Sequence, residues 1–148
     1  MPSPPARERL RGNELIRRLR ELDLDPDEFV IFGSAPLFAH GLRADIRDLD
    51  IVATGRTWER VVAIGEAAVG AISGDPVTQF YGGRIQFSQR WIPPADTAEE
   101  LIRRAEVIDG LRYADLRDVL AYKLDLRRPK DVVDICAFWE SADREVLG

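Results

Sequence analysis

The sequence predicts an α+β fold: a small mixed sheet flanked by helices, with a helical C-terminal end. Three observations carry this reading. Residues 29–32 and 49–53 are short apolar runs that read as buried strands. Residues 84–88, Arg-Ile-Gln-Phe-Ser, alternate as a half-buried strand does. Apolar residues at helical spacing dominate both ends of the chain, giving the order helix, strand, helix, strand, helix, strands, helices. No internal repeat and no linker interrupts that order. The chain of 148 residues is therefore read as one domain over 6–148, preceded by a Pro-rich, disordered tail at 1–5.

Taken in order, Asn13 is a plausible N-cap, and Leu15, Ile16, Leu19 and Leu22 follow it at helical spacing. Asp25-Pro26-Asp27 breaks that helix before the strand at 29–32. Ser34 can cap a short helix over 36–40, and Gly41 ends it. After the strand at 49–53, Thr57 is expected to cap a helix reaching about residue 64. Residues 65–83 read as loops around one weak strand near 77–81, and Gly82-Gly83 as a turn. Pro93-Pro94 stops the next strand. Thr97, with Glu100 three residues on, has the pattern of a capping box. Two helices, 113–127 and 129–139, follow, joined tightly at Arg128-Pro129. In the second, Val132, Ile135, Cys136 and Trp139 form the stripe expected to be buried, with Asp131 and Asp134 on its flank.

Composition narrows the function classes. No apolar run approaches the roughly 20 residues of a membrane span, and the N-terminus lacks a hydrophobic signal core, so a cytoplasmic protein is expected. The single Cys136 fits a reducing compartment. With one cysteine and one histidine, His40, a zinc site is not expected. His40, beside the Gly41 turn, reads as a helix-end cap before it reads as a base. The net charge of −5 argues against a broad nucleic-acid-coating surface. Arginines crowding residues 7–20 read first as a solvated helix face, and second as a contact strip for RNA or an acidic partner. Trp58, Trp91 and Trp139 read as core or groove-lining residues.

The chemistry is concentrated in residues 32–52. Asp48 and Asp50 open an apolar run with one residue between them. Side chains two apart on a strand share a face, so the two carboxylates can hold one hard cation. Gly33 lets backbone approach a phosphate, and the Ser34 hydroxyl can donate to a phosphate oxygen. Together these residues suggest a site for a metal-bound nucleoside triphosphate. Lys123 falls on the apolar stripe of Leu116, Val119 and Leu120. Its ammonium then needs an acidic partner, which a triphosphate or the Asp48–Asp50 pair would provide, unless the stem packs while the head reaches water. Lys130 could pair with Asp134.

The run of strand, Gly33-Ser34, Gly41-Leu42-Arg43 and Asp48-Leu49-Asp50-Ile51-Val52, followed late by Lys123, Arg127, Lys130, Asp131 and Asp134, resembles the nucleotidyltransferase superfamily with its polymerase-beta-like fold. Within it the pattern is similar to small bacterial nucleotidyltransferases of the abortive-infection and toxin–antitoxin type. The resemblance implies magnesium or manganese held by Asp48 and Asp50 as catalytic residues. It implies an NTP substrate contacted by Gly33, Ser34, Arg43, Lys123 and Lys130, and an acceptor hydroxyl on RNA or on a partner protein. A partner chain or a homodimer could complete the cleft. Relatives of this kind usually carry a third acid on a neighbouring strand. Here Gln86 stands at the corresponding place, and an amide cannot act as a general base. Gln86, Asp131 and Asp134 are then expected to support the site from behind, unless Asp131 and Asp134 simply brace the two C-terminal helices, the reading preferred for Asp134. A protein that binds nucleotide or a partner without transfer is the alternative.

Overall fold

A computed structural model describes the backbone of residues 4–91 and 95–147 and the side chains of residues 7–91 and 95–142. The Pro93-Pro94 stop and residues 1–3 of the expected tail lie outside the described residues. Pro4 and Pro5 belong to helix α1 (Pro4–Gly12) rather than to a tail. Proline suits a first helical turn, where its missing N–H has no partner to lose.

Helix α2 (Glu14–Glu21) starts where the sequence places it: the Asn13 side chain accepts from the Ile16 N–H at 3.1 Å. Strand β1 (Phe29–Ile31), helix α3 (Ala35–Ala39) and strand β2 (Leu49–Ala53) follow. Helix α4 (Gly55–Ile64) begins two residues before Thr57, with Thr54 at the N-cap position. Its first turn is capped from a distance, because the Glu28 carboxylate accepts from the Thr57 N–H at 3.1 Å. An acid at a helix N-terminus satisfies an orphan donor and complements the dipole.

Residues 65–83 hold more sheet than expected. Strands β3 (Glu66–Val69) and β4 (Pro76–Phe80) pair antiparallel, and a 3-10 turn at Tyr81–Gly83 leads into β5 (Ile85–Ser88). Helix α5 (Ala98–Arg103) is capped by Thr97, whose hydroxyl accepts from the Glu100 N–H at 3.3 Å. Strands β6 (Glu106–Ile108) and β7 (Leu111–Tyr113) form a hairpin ahead of helix α6 (Leu116–Leu126). Tyr113 therefore belongs to a strand, and Asp115 caps α6 by accepting from the Arg117 N–H. Arg127, at φ +49°, ends α6, and helix α7 (Pro129–Leu147) runs past the expected residue 139.

The seven strands form one mixed sheet in the order β3-β4-β5-β2-β1-β7-β6. β1 runs antiparallel to β2, while β2 runs parallel to β5 and β1 parallel to β7. Alternation along the strands divides the core in two. Phe29, Ile31, Leu49, Ile51, Ile85 and Phe87 pack with residues of α1, α2, α3 and α4 on one face. Val30, Phe32 and Val52 pack with residues of α3, α5 and α6 on the other. No helix among the described residues is long and apolar enough to cross a membrane.

The orientation of α7 corrects the sequence reading. Asp131 and Asp134 face inward, whereas Val132, Cys136 and Trp139 are exposed. The cause is electrostatic. Lys123 is buried on α6, and a buried ammonium needs carboxylates more than the helix needs its apolar side covered.

Ile51, fully buried at the centre of the sheet, tests the packing. Ile51→Ala is expected to lower unfolding stability by about 2–5 kcal/mol, read as a shifted urea midpoint at unchanged slope.

Candidate functional site

Register brings the predicted residues together. In the parallel β2–β5 ladder Asp50 lies opposite Gln86, and in the antiparallel β4–β5 ladder Gln86 lies opposite Gln79. Laterally paired residues share a face. Asp50, Gln86 and Gln79 therefore form a row across three strands, and Gln79 Nε2 donates to Gln86 Oε1 at 2.9 Å.

The β1–α3 turn approaches the same point. Phe32 N–H donates to the Asp50 carbonyl oxygen at 2.7 Å, pinning the start of the turn to β2. Gly33 has φ +68°, and a Cβ built there would stand 3.1 Å from Asp50 Oδ2. Both the backbone angle and the space call for glycine. The Gly33 and Ser34 N–H groups have no backbone partner among the described residues.

Gly33, Ser34, Asp48, Asp50, Gln86, Lys123 and Lys130 all line one cleft of about 270 Å³. Arg43, Asp131 and Asp134 do not line it and stand behind its wall. Asp48 is exposed and Asp50 half-buried. Burial, and then the neighbouring Asp48 carboxylate, push the Asp50 carboxyl up to about 6, against the lowering pull of Lys130, Arg128 and Lys123. No described side chain hydrogen-bonds Asp50.

Behind the wall lies a network of ion pairs. Lys123 Nζ sits 2.9 Å from Asp134 Oδ2 and 3.4 Å from Asp131 Oδ1, with all three side chains nearly or wholly excluded from solvent. Lys123 therefore finds its acids on α7, not in Asp48 and Asp50. Arg43 Nη1 donates to both Asp134 oxygens at 2.9 Å and to Ser34 Oγ at 3.0 Å, and Ser34 Oγ reaches Asp134 Oδ2 at 3.5 Å. Two expectations are corrected here. The Ser34 hydroxyl serves Arg43 and Asp134 instead of capping α3, and Asp134 pairs with Lys123 and Arg43 instead of Lys130. Lys130 remains exposed at the cleft. Asp131 reaches back to the Arg128 N–H at 3.0 Å, the acid half of a capping box, and also accepts from the Arg128 guanidinium. Burial pulls Asp131 upward, but the Arg128 hydrogen bonds and the charges of Lys123 and Arg128 hold it below the ordinary carboxylate range.

Sequence reasoning missed Arg128, Arg90, Tyr122 and residues 70–73, which also line the cleft. Arg128 carried a signal: an acid three residues past the N-cap of a Pro-initiated helix marks a reach-back contact. The β3–β4 loop carried none. Trp91 stacks on Phe32 at 4.4 Å, which fits its groove-lining reading, whereas Trp139 is exposed. His40 pairs with Glu106 at 2.6 Å, away from the cleft lining. In the N-terminal arginine strip, Arg11 and Arg20 pair with Asp109 and Arg18 with Glu14.

Two carboxylates fit a magnesium or manganese ion, which keeps several waters and needs few protein oxygens. Among the described residues no group of three or more His, Cys, Asp or Glu is placed to hold a metal. The chain matches no known family model, no curated protein and no solved structure.

The raised Asp50 gives a pH test. Its folded value of about 6 exceeds the unfolded value, so the folded state binds the extra proton. Its contribution to stability is full below about pH 4 and is lost as pH rises to about 6. Asp50→Asn removes that loss. The variant is expected to match the wild type near pH 4 and to exceed it at pH 8 by on the order of 1–2 kcal/mol, measured by chemical denaturation without divalent cations.

Proposed function

We propose that this protein is a divalent-cation-dependent nucleotidyltransferase, using a nucleoside triphosphate and an acceptor hydroxyl on RNA or on a partner protein. The observation that carries the reading is the convergence of Asp48, Asp50 and the Gly33–Ser34 turn on one cleft with Lys130 at its edge. Asp50 is held close to a bare backbone turn, half-buried and without a hydrogen-bonded partner, an arrangement that a cation relieves. A cation bound there supplies charge neutralisation for the phosphates and for the attacking oxygen. Gly33 admits the phosphate chain, and Lys130 supplies positive charge from the open side. The acceptor oxygen would bond to the α-phosphorus as the bond to pyrophosphate breaks. Gln86 cannot take the hydroxyl proton. With Asp50 given to the cation, the hydroxyl proton would pass to water, the cation easing its loss from the attacking oxygen. A toxin–antitoxin or phage-defence setting, and a cytoplasmic location, belong to this reading.

Gln86 favours a second reading, in which the cleft binds nucleotide without transferring it. Gln86 is an amide that accepts from Gln79, so the row beside Asp50 lacks a third carboxylate.

One experiment separates the two. Purified protein is incubated with magnesium, each α-labelled NTP, total RNA and cell lysate, beside the Asp48→Ala/Asp50→Ala double variant. Transfer by the wild type, reduced about 10²-fold or more in the variant, is the expected outcome. Label transferred equally by both would remove the cation site from the reaction. Cation-dependent nucleotide binding with no product from the wild type, and product from Gln86→Glu, would establish the second reading.

A further inference from the structure

We propose that Asp134 is a positioning residue for the phosphate-binding end of the cleft. From α7 it engages two residues that line the cleft, Ser34 and Lys123, although it lines no part of the cleft itself. The inference rests on reading the cleft as a nucleoside triphosphate site.

Its sign is what makes Asp134 informative. A carboxylate behind a phosphate site repels the ligand by Coulomb's law, and more strongly where water is excluded. Asp134 is nevertheless buried there, with 2% of its surface exposed. Three groups converge on its oxygens from separate parts of the chain: Arg43 before β2 and Ser34 at the β1–α3 turn donate to them, and the Lys123 ammonium on α6 forms an ion pair with Oδ2. Arg43 completes the link by donating from one nitrogen to Ser34 Oγ as well. Ser34 follows Gly33, whose backbone lies against Asp50. A shift of α7 thus moves a chain of short contacts that ends beside the cation-binding carboxylate. A second carboxylate, Asp131, already anchors the start of α7 through Arg128, so Asp134 is not needed merely to begin the helix. Three cations, Arg43, Lys123 and Arg128, face two acids, which leaves the rear wall net positive even with Asp134 in place.

Charge alone and positioning predict opposite signs for one substitution. Asp134→Asn removes a negative charge behind the phosphates, so a purely electrostatic role predicts equal or tighter nucleotide binding. Positioning predicts weaker binding, because Arg43 and Ser34 lose their fixed partner. Affinities of the full-length wild type and Asp134→Asn for the magnesium complexes of ATP, GTP, CTP and UTP are measured by calorimetry at fixed ionic strength. Thermal unfolding is followed in parallel. The expected result is a loss of about tenfold in affinity for whichever nucleotide the wild type binds best, in a variant that remains folded. Binding unchanged or tightened in the folded variant overturns the proposal. Should Asp134→Asn fail to fold, Arg43→Lys decides: it keeps the positive charge but loses the guanidinium that engages Asp134 and Ser34 together. There a loss of about threefold or more supports the proposal, and wild-type affinity overturns it. If the wild type binds none of the four complexes, the triphosphate reading itself fails and this assignment falls with it. That outcome is distinct from a wild type that binds and a variant that binds equally well.

Discussion

The buried ammonium of Lys123 sets the terms for the C-terminal half of this molecule. A lysine placed on the core side of α6 is tolerated only if its charge is met at short range, because leaving it unpaired in a medium of low dielectric costs several kcal/mol. The carboxylates of Asp131 and Asp134 meet it. That requirement fixes the rotation of α7 about its own axis. The helix turns its acids inward and leaves Val132, Val133 and Trp139 at 47%, 68% and 54% exposure. Left to apolar burial alone, α7 would rotate the other way. The tight α6–α7 junction, with Arg127 in a left-handed conformation and Pro129 at the first helical position, brings the acids within reach.

This competition accounts for where the sequence was legible and where it was not. The strands at 29–32, 49–53 and 84–88 were readable because a short apolar run or a strict alternation fits little besides a buried or half-buried strand. The Asn13 and Thr97 caps were readable from residue type and spacing. The row of Asp50 and Gln86 was anticipated as a neighbouring-strand relation, and the β2–β5 register supplies it. Helix α7 was read wrongly because an i, i+3 pair of aspartates beside an apolar stripe looks the same whether the acids face water or a buried cation. Only the three-dimensional placement of Lys123 and Arg43 breaks that tie. The edge strand β3, Glu-Ala-Ala-Val, has neither alternation nor branched bulk and takes its structure from pairing with β4. The β6–β7 hairpin did leave a trace. Asp109 and Gly110 have φ +52° and +83°, and Asp-Gly between apolar residues is a strong hairpin signal.

The site depends on a different constraint, the period of two along a strand. Leu49, Ile51 and Ala53 go to one side of β2 and into the larger core, so Asp50 and Val52 must go to the other. Val52 closes the smaller core, while Asp50, nearer the β1–α3 turn, meets space instead of side chains. The cleft is therefore where the second core runs out: Phe32, Trp91 and Tyr122 pack against one another there, and Gly33, Arg90 and Lys123, their neighbours in the chain, also line it. Phe32 precedes Gly33, and Tyr122 precedes Lys123. The apolar floor and the polar lining are thus successive residues of the same segments, so the rigidity of the floor passes directly to the groups above it.

Charge is then distributed unevenly across a short distance. On the rear wall three cations stand against two acids, and each acid is held by more than one donor. At the cleft itself Asp48 and Asp50 stand together, one exposed and one half-buried, with Lys130, which has no ion pair among the described residues, pulling the Asp50 carboxyl down. A protein that only had to be stable would neutralise Asp50 as it neutralises Asp134, by bringing a guanidinium to it. Arg128 is close enough to lower the Asp50 carboxyl, yet its hydrogen bonds go to Asp131. The rear wall is saturated and the front pair is left short of positive charge. Such a division costs stability at neutral pH, and it leaves the unmet negative charge where Gly33 has kept the space open.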